Sequence, residues 1–120
     1  NHTPDLIVSS TATRALHTAT IFARVLEMSS SKISIKDNLY LADLYTILDI
    51  ICKTDDSINS LLLIGHNPGL TDISNFFTDG DIDNIPTSGV VGLTFDINYW
   101  PDLLNIRPTN SFFDYPKNII

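Results

Sequence analysis

The 120-residue chain is one domain's length, 43% of its residues are hydrophobic, and 7 basic against 14 acidic residues leave a formal net charge of −7. Such a surface repels polyanions, so nucleic acid and anionic membranes are poor partners. A single cysteine, Cys52, excludes an internal disulfide and fits a reducing, cytoplasmic setting, and no apolar run is long enough for a membrane span.

Taken in order, residues 5–9 (Asp-Leu-Ile-Val-Ser) read as a short buried strand running into Ser9-Ser10-Thr11, hydroxyl residues suited to capping a helix. Ala15, Ala19, Phe22, Ala23 and Leu26 then recur at spacings of three and four, which predicts a helix over 12–28 with one buried stripe. Residues 33–35 fit a short strand. After it, Asp37 or Asn38 is placed to cap a second helix reaching about Cys52, with Leu41, Leu44, Tyr45, Leu48 and Ile51 inward and Cys52 on the buried side. Residues 61–65 are apolar at almost every position, the pattern of a strand covered on both faces. Pro68 suits a first helical turn, and Leu70, Ile73, Phe76 and Phe77 give that helix an apolar side. An acidic loop over 78–84 precedes two further strands, 89–95 and 111–115. Strands alternating with helices, without a repeat or linker, predict a single α/β domain, a three-layer sandwich with a mostly parallel sheet.

Two strand-to-helix junctions stand out. In parallel sheets, ligands gather outside the carboxyl ends of the strands, where helix N-termini offer unpaired N–H groups and positive dipole ends. The first junction carries Arg14 in the opening turn of its helix, and the second carries His66 just before its own. A guanidinium fork, an imidazole and two helix N-termini on one rim predict a pocket for an anion, phosphate above all.

The stretches "PDLIVSSTATRALHTA" (4–19), "LLLIGHNPGLTDI" (61–73) and "IPTSGVVGLTFD" (85–96) together resemble the histidine phosphatase superfamily, the phosphoglycerate-mutase-like fold, and within it the small SixA-type phosphohistidine phosphatases. The resemblance implies phosphoryl transfer through a covalent phosphohistidine, with no metal or other cofactor. Its substrate would be protein phosphohistidine or a small phosphate ester. It assigns Arg14 and His66 to the phosphoryl oxygens, with the Asn67 N–H as a further donor and Ser10, His17, Thr87 and Ser88 as candidate rim residues.

The chain departs from this family at one point. The nucleophile belongs to an Arg-His-Gly motif at the end of the family's first strand, and these 120 residues contain none. The motif and a central strand are expected upstream of Asn1, which makes residues 1–120 an N-terminally incomplete domain. Neither His2, before the first strand, nor His17, one helical turn after Arg14, replaces the nucleophile. A phosphate-binding or protein-interaction module without the nucleophile is the alternative function. Asp43 is a weak candidate for a proton donor. Asp79-Gly-Asp-Ile-Asp83 imitates a calcium loop but lacks its glycine and its closing glutamate.

Overall fold

Two apolar runs sit side by side at the centre of the molecule: Leu6–Ser9 forms strand β1 and Leu61–Ile64 forms β3. In the computed structural model, which describes residues 3–78, 80, 82–85 and 90–114, they pair in parallel with Leu6 opposite Leu61 and Ser9 opposite Ile64. Ile33–Ile35 forms β2 and pairs in parallel with the other edge of β1, so the order is β2-β1-β3. Val90–Thr94 (β4) and Asn110–Asp114 (β5) make a separate antiparallel pair.

Alternation along β1 builds the layers, because successive side chains of a strand point to opposite faces. Ile7 meets Ala19 and Ala23 of helix α1, Thr13–Val25, on one face. Val8 meets the other face's core, where Ile47 and Leu48 of α2 (Leu44–Cys52) pack with Ile73 and Phe77 of α3 (Gly69–Phe77). The result is the expected α/β/α order, α1 against α2 and α3 across a parallel sheet, and the fold is mixed α/β.

The elements differ from the sequence pattern in instructive ways. Helix α1 stops at Val25 instead of residue 28 because Glu27 turns left-handed (φ 57°), the Met28 N–H bonds the Ala23 carbonyl and the Glu27 N–H bonds that of Arg24. This is the Schellman closure, with glutamate where glycine is commoner. The Ser9-Ser10-Thr11 hydroxyls do not cap α1; its N-cap is Ala12, with no side-chain cap bond. The continuous helix expected from Asp37 is broken: a 3-10 turn over Asp37–Leu39 ends at Tyr40, Leu41 takes a left-handed backbone (φ 51°), and α2 starts afresh at Leu44. The break resets the inward face. Ile47, Leu48 and Ile50 are buried, with Leu44, Ile51 and Cys52 packed at their margin, whereas Leu41 and Tyr45 face outward at 65% and 76% exposure. Cys52 is half-buried, and burial pushes its thiol pKa up.

Strand β3 is half-buried throughout, not covered on both faces. Its Ser60 and Ile64 carbonyls accept from Asp5 and Ser10 beside β1, so the strand's alternation turns the backbone groups of Leu61 and Leu63 to the other side. Among the described residues no strand pairs with that outer edge. It faces a cavity of about 1620 Å³, whose lining also includes Val90, Val91, Leu93 and Thr94 of β4.

Candidate functional site

The carboxyl ends of β1 and β3 lie at one rim because the strands are parallel and in register. From β1 the chain passes through Ser10, Thr11 and Ala12 into α1, which places Arg14 in that helix's first turn. From β3 it passes through Gly65 and His66 into the turn before α3. Arg14, His17, His66 and Asn67 all line the 1620 Å³ cavity. Arg14 and His17 are exposed and His66 is half-buried. Among the described residues no carboxylate lies within salt-bridge reach of Arg14, and the first turn of α1 carries no acidic residue. A guanidinium at a positive helix end, left without a neutralising partner, is matched to an incoming anion.

His66 is held more firmly than its sequence position suggests. Its Nε2 lies 2.6 Å from the Ser10 Oγ, and its ring meets the Tyr40 ring edge to face, centroids 5.3 Å apart at 80°. Ser10 is fully buried, so it stands behind His66 and is not a rim residue. Tyr40 is a site neighbour that sequence reasoning missed. It closes the 3-10 turn Asp37–Leu39, in a stretch that the sequence pattern reads as continuous helix.

Asn67 departs from its expected place. Helix α3 begins at Gly69, so Asn67 lies in the preceding turn, after which the Asn67–Pro68 peptide is cis. Its side chain is a stitch: Oδ1 accepts from the Thr71 N–H (3.2 Å) and hydroxyl (2.8 Å), and Nδ2 donates to the Ile85 carbonyl at 2.8 Å. Thr71 Oγ1 accepts in turn from the Ile85 N–H at 2.9 Å. This network fixes the turn on which His66 stands.

Asp43 is the N-cap of α2, its Oδ1 accepting from the Thr46 N–H at 2.9 Å. That backbone hydrogen bond holds its carboxyl below the usual carboxylate range, the reverse of what a proton donor needs. Thr87, Ser88 and His2 lie outside the described residues, as do Asp79 and Asp81 of the acidic loop. Among the described residues no cluster of histidine, cysteine and carboxylates could hold a metal ion. No helix is long and apolar enough to cross a membrane, again among the described residues.

No protein-family model matches the chain, and no curated protein does. Solved structures do. The chain is similar to a candidate phosphohistidine phosphatase SixA from Agrobacterium tumefaciens, with 30% identity and a TM-score of 0.62 over 72% of this chain and 58% of that one. It is also similar to a candidate phosphohistidine phosphatase SixA from Nakamurella multipartitia, with a TM-score of 0.67 over 94% of this chain and 71% of that one. At 19% identity, the second likeness speaks for the fold alone. The chain thus spans 58% of the length of the Agrobacterium protein. The first likeness supports a SixA-type histidine phosphatase superfamily relationship, and the second supports the same mixed α/β fold.

Proposed function

We propose that this chain is the larger part of a SixA-like phosphatase that hydrolyses protein phosphohistidine, or a small phosphate ester, through a covalent phosphohistidine. The reading places its nucleophile on an Arg-His-Gly segment upstream of residue 1. The observation that supports it is the placement of Arg14 and His66, at two parallel strand-to-helix junctions, in the lining of one cavity beside a strand edge that is unpaired among the described residues. A strand entering that cavity parallel to β3 would pair with the outward backbone groups of Leu61 and Leu63 and would end at the rim where Arg14 and His66 wait. A nucleophile delivered there meets its electrostatic partners.

The chemistry runs in two transfers. The nucleophilic imidazole nitrogen forms a bond to phosphorus as the bond to the leaving imidazole or alkoxide breaks, and the leaving group takes up a proton. Water then attacks the phosphorus, the P–N bond breaks, and inorganic phosphate departs. Arg14 and His66 hold non-bridging oxygens and stabilise the charge that grows on them. A protonated imidazole leaves readily, so phosphohistidine makes less demand on a dedicated acid than an alkyl phosphate does. A cytoplasmic location and a phosphate-bearing protein partner belong to the same reading.

The test is hydrolysis of an aryl phosphate by the chain extended through its Arg-His-Gly segment. Arg14→Ala is expected to lower kcat/KM by about 10²–10³, the usual loss for one transition-state donor. Full activity in a folded Arg14→Ala protein overturns the assignment. The other reading is a phosphate-binding or interaction module that transfers nothing. An extended chain that binds phosphate without turnover would select it.

A further inference from the structure

The Ser10 hydroxyl is completely buried and lies 2.6 Å from His66 Nε2, although 56 residues separate the two in sequence. Its place is fixed by the sheet, since the Ser10 N–H donates to the Ile64 carbonyl at 3.2 Å, two residues before His66. Its oxygen already accepts from the Ala12 N–H at 3.3 Å.

The direction of the Ser10–His66 bond follows from counting donors and acceptors. A serine hydroxyl has one proton to give, and a buried donor without an acceptor is costly. Among the described residues the acceptor in reach of that proton is His66 Nε2. Were Nε2 to carry a proton and donate to the oxygen, the Ser10 proton would be stranded in a fully buried site. In the neutral ring Ser10 therefore donates, Nε2 accepts, and the ring proton sits on Nδ1, the tautomer being set by the bond the other nitrogen makes. No hydrogen-bond partner holds Nδ1 among the described residues. The edge-to-face contact with Tyr40 restrains the ring from a second direction.

We infer that Ser10 is the positioning residue of the site: by donating to Nε2 it fixes the rotamer of His66 and keeps a proton on Nδ1, leaving that N–H to meet a phosphoryl oxygen. The inference rests on reading His66 as a phosphate donor. Ser10 itself touches no substrate. Outer hydrogen-bond partners of metal-ligating histidines act in the same way, and their loss costs about 10–100-fold in metal affinity or activity.

The experiment is two-bond 15N–1H correlation spectroscopy of the full chain labelled with 15N-histidine, with His66 assigned by the signals that His66→Gln removes. At a pH where the ring is neutral, the wild-type protein is expected to show the Nδ1–H pattern, and Ser10→Ala a mixture of both tautomers. A wild-type Nε2–H pattern, or no change in Ser10→Ala, overturns the inference. Titration with inorganic phosphate supplies the second arm: about tenfold weaker binding in Ser10→Ala, with Ser10→Thr, which keeps the hydroxyl, near the wild-type value. Equal phosphate affinity in wild-type and a folded Ser10→Ala protein also overturns it. If wild-type binds no phosphate while the tautomer behaves as stated, the pocket reading fails and the Ser10–His66 bond stands. The wild-type spectrum decides the bond's direction even if Ser10→Ala does not fold.

Discussion

At the scale of single residues, position explains more than residue type. Arg14 and His66 are ordinary in composition, and their meaning comes from standing where strands end and helices begin. That much is legible in the sequence, because an apolar run that ends in a titratable group is visible without a structure. Asn67 is different: its identity suits a turn, but its bonds to Thr71 and Ile85 join segments that only the fold brings together. Replacing Asn67 by alanine leaves the Thr71 N–H and hydroxyl and the Ile85 carbonyl without that partner. We expect a loss of about 2–3 kcal/mol, read from the denaturant midpoint, since unpaired buried polar groups each cost on the order of 1–3 kcal/mol. Asp43 gives a pH-dependent prediction. Its carboxyl pKa is lowered on folding, chiefly by the Thr46 N–H, so its contribution is fully present above the ordinary value of 3.8 and fades as the pH falls below it. Asp43→Ala should lower the melting temperature at neutral pH, and the gap to wild-type should close in acid.

At the scale of elements, the strands and α1 follow from apolar periodicity, and the failures cluster where the backbone does something that side chains do not encode. Leu41 in a left-handed conformation splits the predicted second helix, and a leucine gives no sign of such a turn. Tyr40, at the end of the 3-10 turn beside that break, packs its ring against His66. Glu27 closes α1 in that same strained region, where glycine would be free of the penalty. Glu27→Gly should therefore be neutral or raise stability by up to about 1 kcal/mol in thermal unfolding. Gly69 carries the opposite prediction. A Cβ there would come within 2.3 Å of the Ala42 carbonyl oxygen and 2.9 Å of Ile47 Cδ1, because the start of α3 packs directly on the approach to α2. Gly69→Ala should cost about 1–3 kcal/mol or more, measured by chemical denaturation, and should disturb the turn that holds His66. The Gly in "HNPG" thus serves packing, which its local sequence alone does not reveal.

At the scale of the whole molecule, the parallel α/β architecture was legible because strands and helices alternate, and the resemblance over three separated stretches placed them in a known order. What the pattern did not show is how the sheet divides. Strand β3 reads as buried on both faces, yet it is half-buried and bounds a large cavity shared with β4. An apolar run records only that a strand is to be covered, not by what. We read that cavity as the seat of an upstream strand whose end carries the nucleophile, with Arg14 and His66 already in place to receive its phosphoryl group. The most direct measurement is to react the full chain with an aryl phosphate, quench in alkali, where phosphohistidine survives, and locate the modification by peptide mass spectrometry. The account predicts one acid-labile phosphoryl group on a histidine upstream of Asn1, abolished when that histidine is replaced. Turnover without that phosphohistidine, or with the phosphoryl group on His66, would contradict it.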